Sequence, residues 1–259
     1  MDKNLKVTVL QPKNNKNPEE KITEIEEYVE RLNTDDIDIL CLPELPIYGF
    51  NYELLSKLSV DEIKEKKQFF KDIASNNDMY IITGLIEKTK GGCYDSAYIF
   101  NRSGKEIFKY RKTHLWSKER KFFKPGNSIE VAEIDGWKIG LGICADLGFP
   151  EFSRTLTLKG AEVLFFPSAW SEPYGELWNL MNKARAAENQ VYLISPNLIG
   201  SGNNYCGLSI SVNPRGEIMK QLKNSENYFS IFAKKELLKE RREEIPWLEQ
   251  RRPLIYDIS

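Results

Sequence analysis

Apolar and polar positions alternate with a period of two over "LKVTVLQ", Leu5 to Gln11, and predict a half-buried strand. From Pro18 the period lengthens: Ile22, Ile25, Val29 and Leu32 share one face of a helix that the proline opens. "IDILCLPE" is a mostly apolar run, a buried strand that its proline stops just before Glu44. Val60 to Ser75 predicts a second amphipathic helix, and "MYIITGLIE" the strand that follows it. "CYDSAYIF" and "KEIFKYRK" flank the turn-forming "NRSG", while "SIEVAEI" and "WKIGLGIC" flank "DG", so two hairpins are expected. Alternation of helix and strand resumes with Pro150 to Lys159, "AEVLFFP", "ELWNLMNKARAAEN" and "QVYLISPN". In the third of these segments Leu177, Met181 and Ala184 mark the expected apolar face. A third hairpin turns at Asn213 to Gly216, and a short charged helix near Lys234 to Glu243 precedes the tail.

Strands joined by both helices and hairpins predict an α/β chain, with a mixed sheet or two sheets packed face to face and helices outside. No repeat, low-complexity segment or Gly/Ser linker interrupts the series, so residues 1–259 are expected to form one domain. Hydrophobic residues at 41% and charged residues at 29% supply enough material for a substantial core.

Charge narrows the partners. Lys and Arg total 37 against 38 Asp and Glu, which gives no reason to expect nucleic acid or an anionic membrane. Arg241 and Arg242 are followed at once by Glu243 and Glu244, as on a solvated helix face. No apolar run approaches the roughly 20 residues of a membrane-spanning helix, and "MDKNLKVTVLQP" lacks the features of a signal peptide. Cys41, Cys93, Cys144 and Cys206 are far apart and read as cytosolic thiols, so a cytoplasmic location is expected. With one histidine and scattered cysteines no metal site is expected, and no phosphate-binding glycine motif appears. A cofactor-free hydrolase fits this inventory.

Four positions carry the candidate chemistry. Glu44 follows a strand end, where desolvation raises a carboxyl pKa and suits it to act as a base; an ordinary loop glutamate is the alternative. Lys112, in "YRKTHL", is either a solvated edge charge or a cation aimed into a cleft at an oxyanion. Cys144, in "LGICADLGFPE", lies between a buried strand and the Pro150 helix start. There backbone amides can lower a thiol pKa and bind a developing anion, but an inert buried thiol is the commoner fate. His114, the single histidine, offers a base for a cysteine dyad, or a structural hydrogen bond. Cys206 follows Tyr205 in a glycine-rich loop.

Together "LCLPELPIYGF", "YRKTHLWSKERKFFKPGN", "LGICADLGFPE", "KARAAENQVYLISPN" and "SVNPRGEI" resemble, in order, segments of the carbon–nitrogen hydrolase (nitrilase) superfamily. "IPWLEQRRPLIY" is similar to that family's C-terminal end, so the likeness spans essentially the whole chain. The resemblance implies a four-layer α-β-β-α sandwich with two mixed β-sheets, usually assembled into dimers or multiples of dimers. It implies Glu44 as general base, Lys112 as the stabiliser of a tetrahedral intermediate, Cys144 as nucleophile and Glu119 as a second glutamate that positions substrate and triad. Under it His114 becomes structural. The backbone amide of Ala145 is a candidate oxyanion donor. Trp170 first, then Tyr48, Tyr174 and Tyr205, are candidate pocket walls, with simple packing the alternative for each.

Asp146, two residues after the cysteine, resembles the amidase-like branches more than the nitrilases. Gly148 stands where many relatives have an arginine that contacts a substrate carboxylate, which weakens the case for a carboxylate-bearing substrate unless Arg185 or another base serves. The expected activity is hydrolysis of a small linear amide or N-carbamoyl compound without a cofactor. Nitrile hydrolysis, or a non-catalytic interaction protein on the same fold, are the alternatives.

Overall fold

A computed structural model describes residues 4–14, 17–32, 34–200 and 204–256. Part of the glycine-rich loop ahead of Cys206, residues 201–203, lies outside the described residues. The first half of the chain runs β1 (Leu5–Gln11), α1 (Pro18–Arg31), β2 (Ile39–Cys41), α2 (Tyr52–Lys57), α3 (Val60–Asn76), β3 (Tyr80–Thr89), β4 (Gly92–Phe100) and β5 (Glu106–Arg111). The second half runs β6 (Val131–Ile134), β7 (Trp137–Leu141), α4 (Pro150–Leu158), β8 (Val163–Phe165), α5 (Gly175–Asn189) and β9 (Tyr192–Ser195). It ends with the short pair β10 (Ile199–Gly200) and β11 (Tyr205–Cys206), then β12 (Ile210–Val212), β13 (Ile218–Gln221), β14 (Asn227–Ala233) and α6 (Lys235–Glu244).

Two six-stranded sheets result, ordered β14-β1-β2-β3-β4-β5 and β13-β12-β9-β8-β7-β6. Each centres on three parallel strands (β1, β2, β3 and β7, β8, β9) with antiparallel strands at the flanks. Period-two alternation explains the layers. Val7, Val9, Ile39, Ala97 and Ile99 of the first sheet share one core with Ile139, Leu141, Val163 and Phe165 of the second. Leu10, Leu40, Tyr98 and Phe100 point the other way and pack on Ile25 and Val29 of α1 and Phe70 and Ile73 of α3. Phe152 and Leu156 of α4 and Trp178 and Ala186 of α5 cover the second sheet. Helix, sheet, sheet, helix is therefore the order of layers, as the resemblance implied.

Local signals set the element ends. Ser59 and Glu62 form a capping box at the start of α3. Asp135 and Gly136 both have positive φ (47° and 79°), as the tight "DG" hairpin turn requires. Three expectations need correction or addition. The buried face of α5 is Trp178, Asn182, Arg185, Ala186 and Asn189, while Leu177 is exposed and Met181 and Ala184 only half-buried. The inward polar residues are tolerated because they are bonded: Asn182 to Trp178 O and Ser195, Asn189 to Arg185 O. Strand β14, which pairs with β1 along its whole length, and helix α2 have no counterpart among the predicted elements. Among the described residues, no helix is long and apolar enough to cross a membrane.

Candidate active site

Glu44 follows β2, Lys112 follows β5, and Cys144 follows β7, so three strand ends from two sheets converge. Lys112 continues the inward parity of Tyr110, which belongs to the core between the sheets. Its Nζ lies 2.6 Å from Glu44 Oε1 and 2.9 Å from both oxygens of Glu119. Glu119 is held in turn by the Trp116 N–H at 2.9 Å. Glu44 and Lys112 are wholly buried and Glu119 almost so. An ion pair placed so far from water survives only with this density of hydrogen bonds.

Two glycines let the backbones approach. A Cβ on Gly84 of β3 would lie 2.7 Å from the Glu44 Cα, and one on Gly126 would lie 2.2 Å from the Arg111 carbonyl oxygen, next to Lys112. Leu45, beside Glu44, has φ 46°, and Cys144 itself has φ 43°. Non-glycine residues in the left-handed region cost free energy, and here they flank or carry the candidate chemistry.

Cys144 opens a 3₁₀ turn, Cys144–Gly148, between β7 and α4. Asp146 ties this turn to the end of β5. Its carboxylate accepts from Tyr110 Oη (2.7 Å), the Ile143 N–H (2.9 Å), Thr113 Oγ1 (3.0 Å) and the His114 N–H (3.0 Å), and pairs with His114 Nδ1 at 2.7 Å. The His114 ring also stacks on Phe149, 3.7 Å between centroids. His114 is thus engaged in the clamp that fixes the cysteine turn.

Burial above all pushes the Cys144 thiol well above its usual range; the Glu44 and Glu119 charges add to this, and Lys112 and the Ala169 N–H oppose it. The expectation that amides of the turn and helix start lower the thiol pKa is corrected: the Ala169 N–H, beyond β8, is the amide that acts on it, and burial outweighs its pull. For Lys112 burial alone would depress the ammonium, yet Glu44, Glu119, Cys144 and Asp95 outweigh it and raise its pKa well above the usual value. Glu119 is raised by burial, against the pull of Lys112. The site holds a protonated thiol, a fixed cation and carboxylates in contact with it.

Of the candidate pocket residues, Ala145 is half-buried and follows Cys144 at the head of the turn, where the first amides have no acceptor within the helix. Trp170 follows the Ala169 whose N–H meets the thiol; its indole donates to Tyr174 O and lies against Trp178. Tyr48 does not join the cluster. Burial first, and then the charges of Glu62, Glu19 and Glu65 on the outer helices, push its hydroxyl pKa up. Tyr52 lies within reach of the cluster's charges: burial first, and then Glu119, raises its hydroxyl pKa, with Lys112, Glu44 and Tyr205 also acting on it. Arg185 is committed elsewhere, to the carbonyls of Leu147 (3.0 Å) and Gly148 (3.2 Å) and to Glu188.

Sequence reasoning passed over Asp95 and Asn197. Asp95 lies fully buried 3.7 Å from Lys112 Nζ. An acid alternating with Ala97 and Ile99 in "YDSAYIF" was the available signal. Asn197 accepts from the Trp170 N–H at 2.7 Å and donates to Gly207 O and Cys206 Sγ, tying three loops together.

Residues 6–233 match the family model described as carbon–nitrogen hydrolase. A "Nitrilase" of Pyrococcus abyssi is 31% identical over 223 residues, 83% of either chain. A "2-oxoglutaramate amidase" of Bacillus subtilis is 30% identical over 244 residues, 92% of this chain and 94% of that one. The crystal structure of a carbon–nitrogen hydrolase from Helicobacter pylori G27 superposes with a TM-score of 0.91 at 25% identity, over 99% of this chain and 98% of that one.

Proposed function

From the premise that this chain belongs to the carbon–nitrogen hydrolase family, we propose that it hydrolyses a small linear amide or N-carbamoyl compound through a cysteine thioester. The observation that carries this reading is the buried Glu44–Lys112–Glu119 cluster set against a protonated Cys144. A thiol pushed up by burial needs a base, and Glu44 is that base. Glu44 takes the Cys144 proton, and the thiolate attacks the carbonyl carbon of the amide. Lys112 has three N–H donors; two are directed at Glu44 and Glu119, and the third meets the developing oxyanion together with the Ala145 N–H. Each such donor is worth about 3–4 kcal/mol in the transition state. Glu44 then passes its proton to the leaving nitrogen, and ammonia or an amine departs. Water, deprotonated by Glu44, hydrolyses the thioester and restores the thiol.

Glu119 keeps Lys112 aimed, and Trp170 and Tyr52 wall the pocket. With Arg185 bonded to Leu147 O and Gly148 O and no cation at Gly148, an uncharged substrate is favoured over one bearing a carboxylate. A homo-oligomer built on dimers, acting in the cytoplasm, completes the reading; the exposed apolar positions Leu177 and Leu180 of α5 and the four free thiols support these two parts.

The test is ammonia release from a panel of primary amides, N-carbamoyl compounds and nitriles, with Cys144→Ala in parallel. Amide or carbamoyl turnover is expected to fall by about 10⁴-fold or more in the variant, and mass spectrometry of quenched wild type should find the acyl adduct on Cys144. Turnover of nitriles alone would replace the amidase reading by nitrile hydrolysis.

A further inference from the structure

Asp95 has no part in the chemistry above. Its side chain is fully buried among the reacting groups and meets the Glu44 carboxyl in hydrogen-bonding contact. Lys112 Nζ, at 3.7 Å, is beyond hydrogen-bond range. Neither oxygen of Asp95, nor Oε2 of Glu44, accepts a hydrogen bond from an N–H or O–H group of the described residues. Two ionised carboxylates offer each other acceptors only, so this contact requires a proton on one of them. The excess of negative charge favours the same. Glu44, Glu119 and Asp95 surround one ammonium, that of Lys112, and the remaining neighbour, Cys144, is a neutral thiol.

Building on the reading of Glu44 as the base, we propose that Asp95 is a neutral acid in the resting protein and donates its proton to Oε2 of Glu44, as a positioning residue. The proton belongs on Asp95 because the other two carboxyls have donors and it has none: Lys112 lies 2.6 Å from Glu44, and Lys112 and the Trp116 N–H each lie 2.9 Å from Glu119. Burial first, and the Glu44 charge second, push the Asp95 acid well above its usual range, against Lys112. The hydrogen bond fixes the Glu44 rotamer. It is also stronger to an ionised than to a protonated Glu44, so Asp95 favours release of the proton that Glu44 takes from Cys144 to the leaving nitrogen.

Infrared difference spectroscopy of wild type against Asp95→Asn at neutral pH reads the proton directly. A protonated-carboxyl C=O band, shifted in deuterium oxide and absent from the variant, is expected. In kinetics Asp95→Asn, whose amide still donates to Glu44, should keep kcat within about threefold. Asp95→Leu, similar in size but without a donor, should lose kcat by roughly 10- to 100-fold at unchanged KM, with folding checked by its thermal melt. Absence of the band, or an Asp95→Asn loss as large as that of Asp95→Leu, would overturn the proposal and make Asp95 an ionised partner of Lys112. The band is independent of turnover, so a protein inactive on every amide would count against the role of Glu44 and leave the proton on Asp95 measurable.

Discussion

Gly84 has no room for a methyl group. A Cβ there would stand 2.7 Å from Glu44 Cα and 2.9 Å from Leu45 N, both backbone atoms that have little freedom to yield. Gly84→Ala should therefore displace Glu44 while costing about 1–3 kcal/mol of stability through overpacking. Kcat should fall by roughly 100-fold, since a misplacement of about 1 Å has that effect; steady-state kinetics beside a denaturation curve separates the two. The thiol gives a second residue-scale prediction. Because burial keeps Cys144 protonated, its alkylation by iodoacetamide should be slow at neutral pH and accelerate as the solution becomes alkaline. An alkylation rate already maximal at neutral pH would show a thiolate formed without a base.

Strands β3, β4 and β5 are joined on one face by Glu87, which accepts from Arg111 at two 2.8 Å contacts, from Lys109 at 2.6 Å and from Ser96 at 3.2 Å. Burial alone would raise this carboxyl, but the bonds to Arg111 and Lys109 outweigh it and pull its pKa down to about 2. A depressed carboxylate contributes stability that is present above its unfolded pKa and is lost as pH falls through the folded value. Thermal melts of wild type and Glu87→Gln should thus differ at neutral pH and converge between the ordinary glutamate range and pH of about 2. At the same scale Asp146 locks the end of β5 to the cysteine turn. Asp146→Ala leaves the buried Ile143 N–H without its acceptor and the Tyr110 hydroxyl with only Thr113 Oγ1 to donate to, and should cost about 2–4 kcal/mol in chemical denaturation.

For the whole molecule, the outward stripe of α5 is the face on which the proposed assembly can be tested. Leu177 is 39% exposed and Leu180 is 61% exposed, an apolar pair that a lone chain leaves in water. Leu180→Glu should halve the mass measured by light scattering if this face pairs two copies, with the fold unchanged. An unchanged mass would move the interface elsewhere.

Most elements were legible because their signals are local. The strand at Leu5–Gln11, the helix opened by Pro18 and the Asp135-Gly136 turn depend on spacing and backbone preference within a few residues. Strand β14 was not legible, since its place beside β1 rests on a partner more than 200 residues away. The sequence, through its likeness to a family, also brought Glu44, Lys112, Glu119 and Cys144 into one list. It determined which chemistry-bearing residues exist and the order of the layers. Only the tertiary structure decided that the charges of that cluster act on Tyr52, that Arg185 is consumed by two carbonyls, and that Asp95 lies against Glu44. Those outcomes follow from desolvation and from three-dimensional hydrogen-bond geometry, which link positions that no sequence period connects.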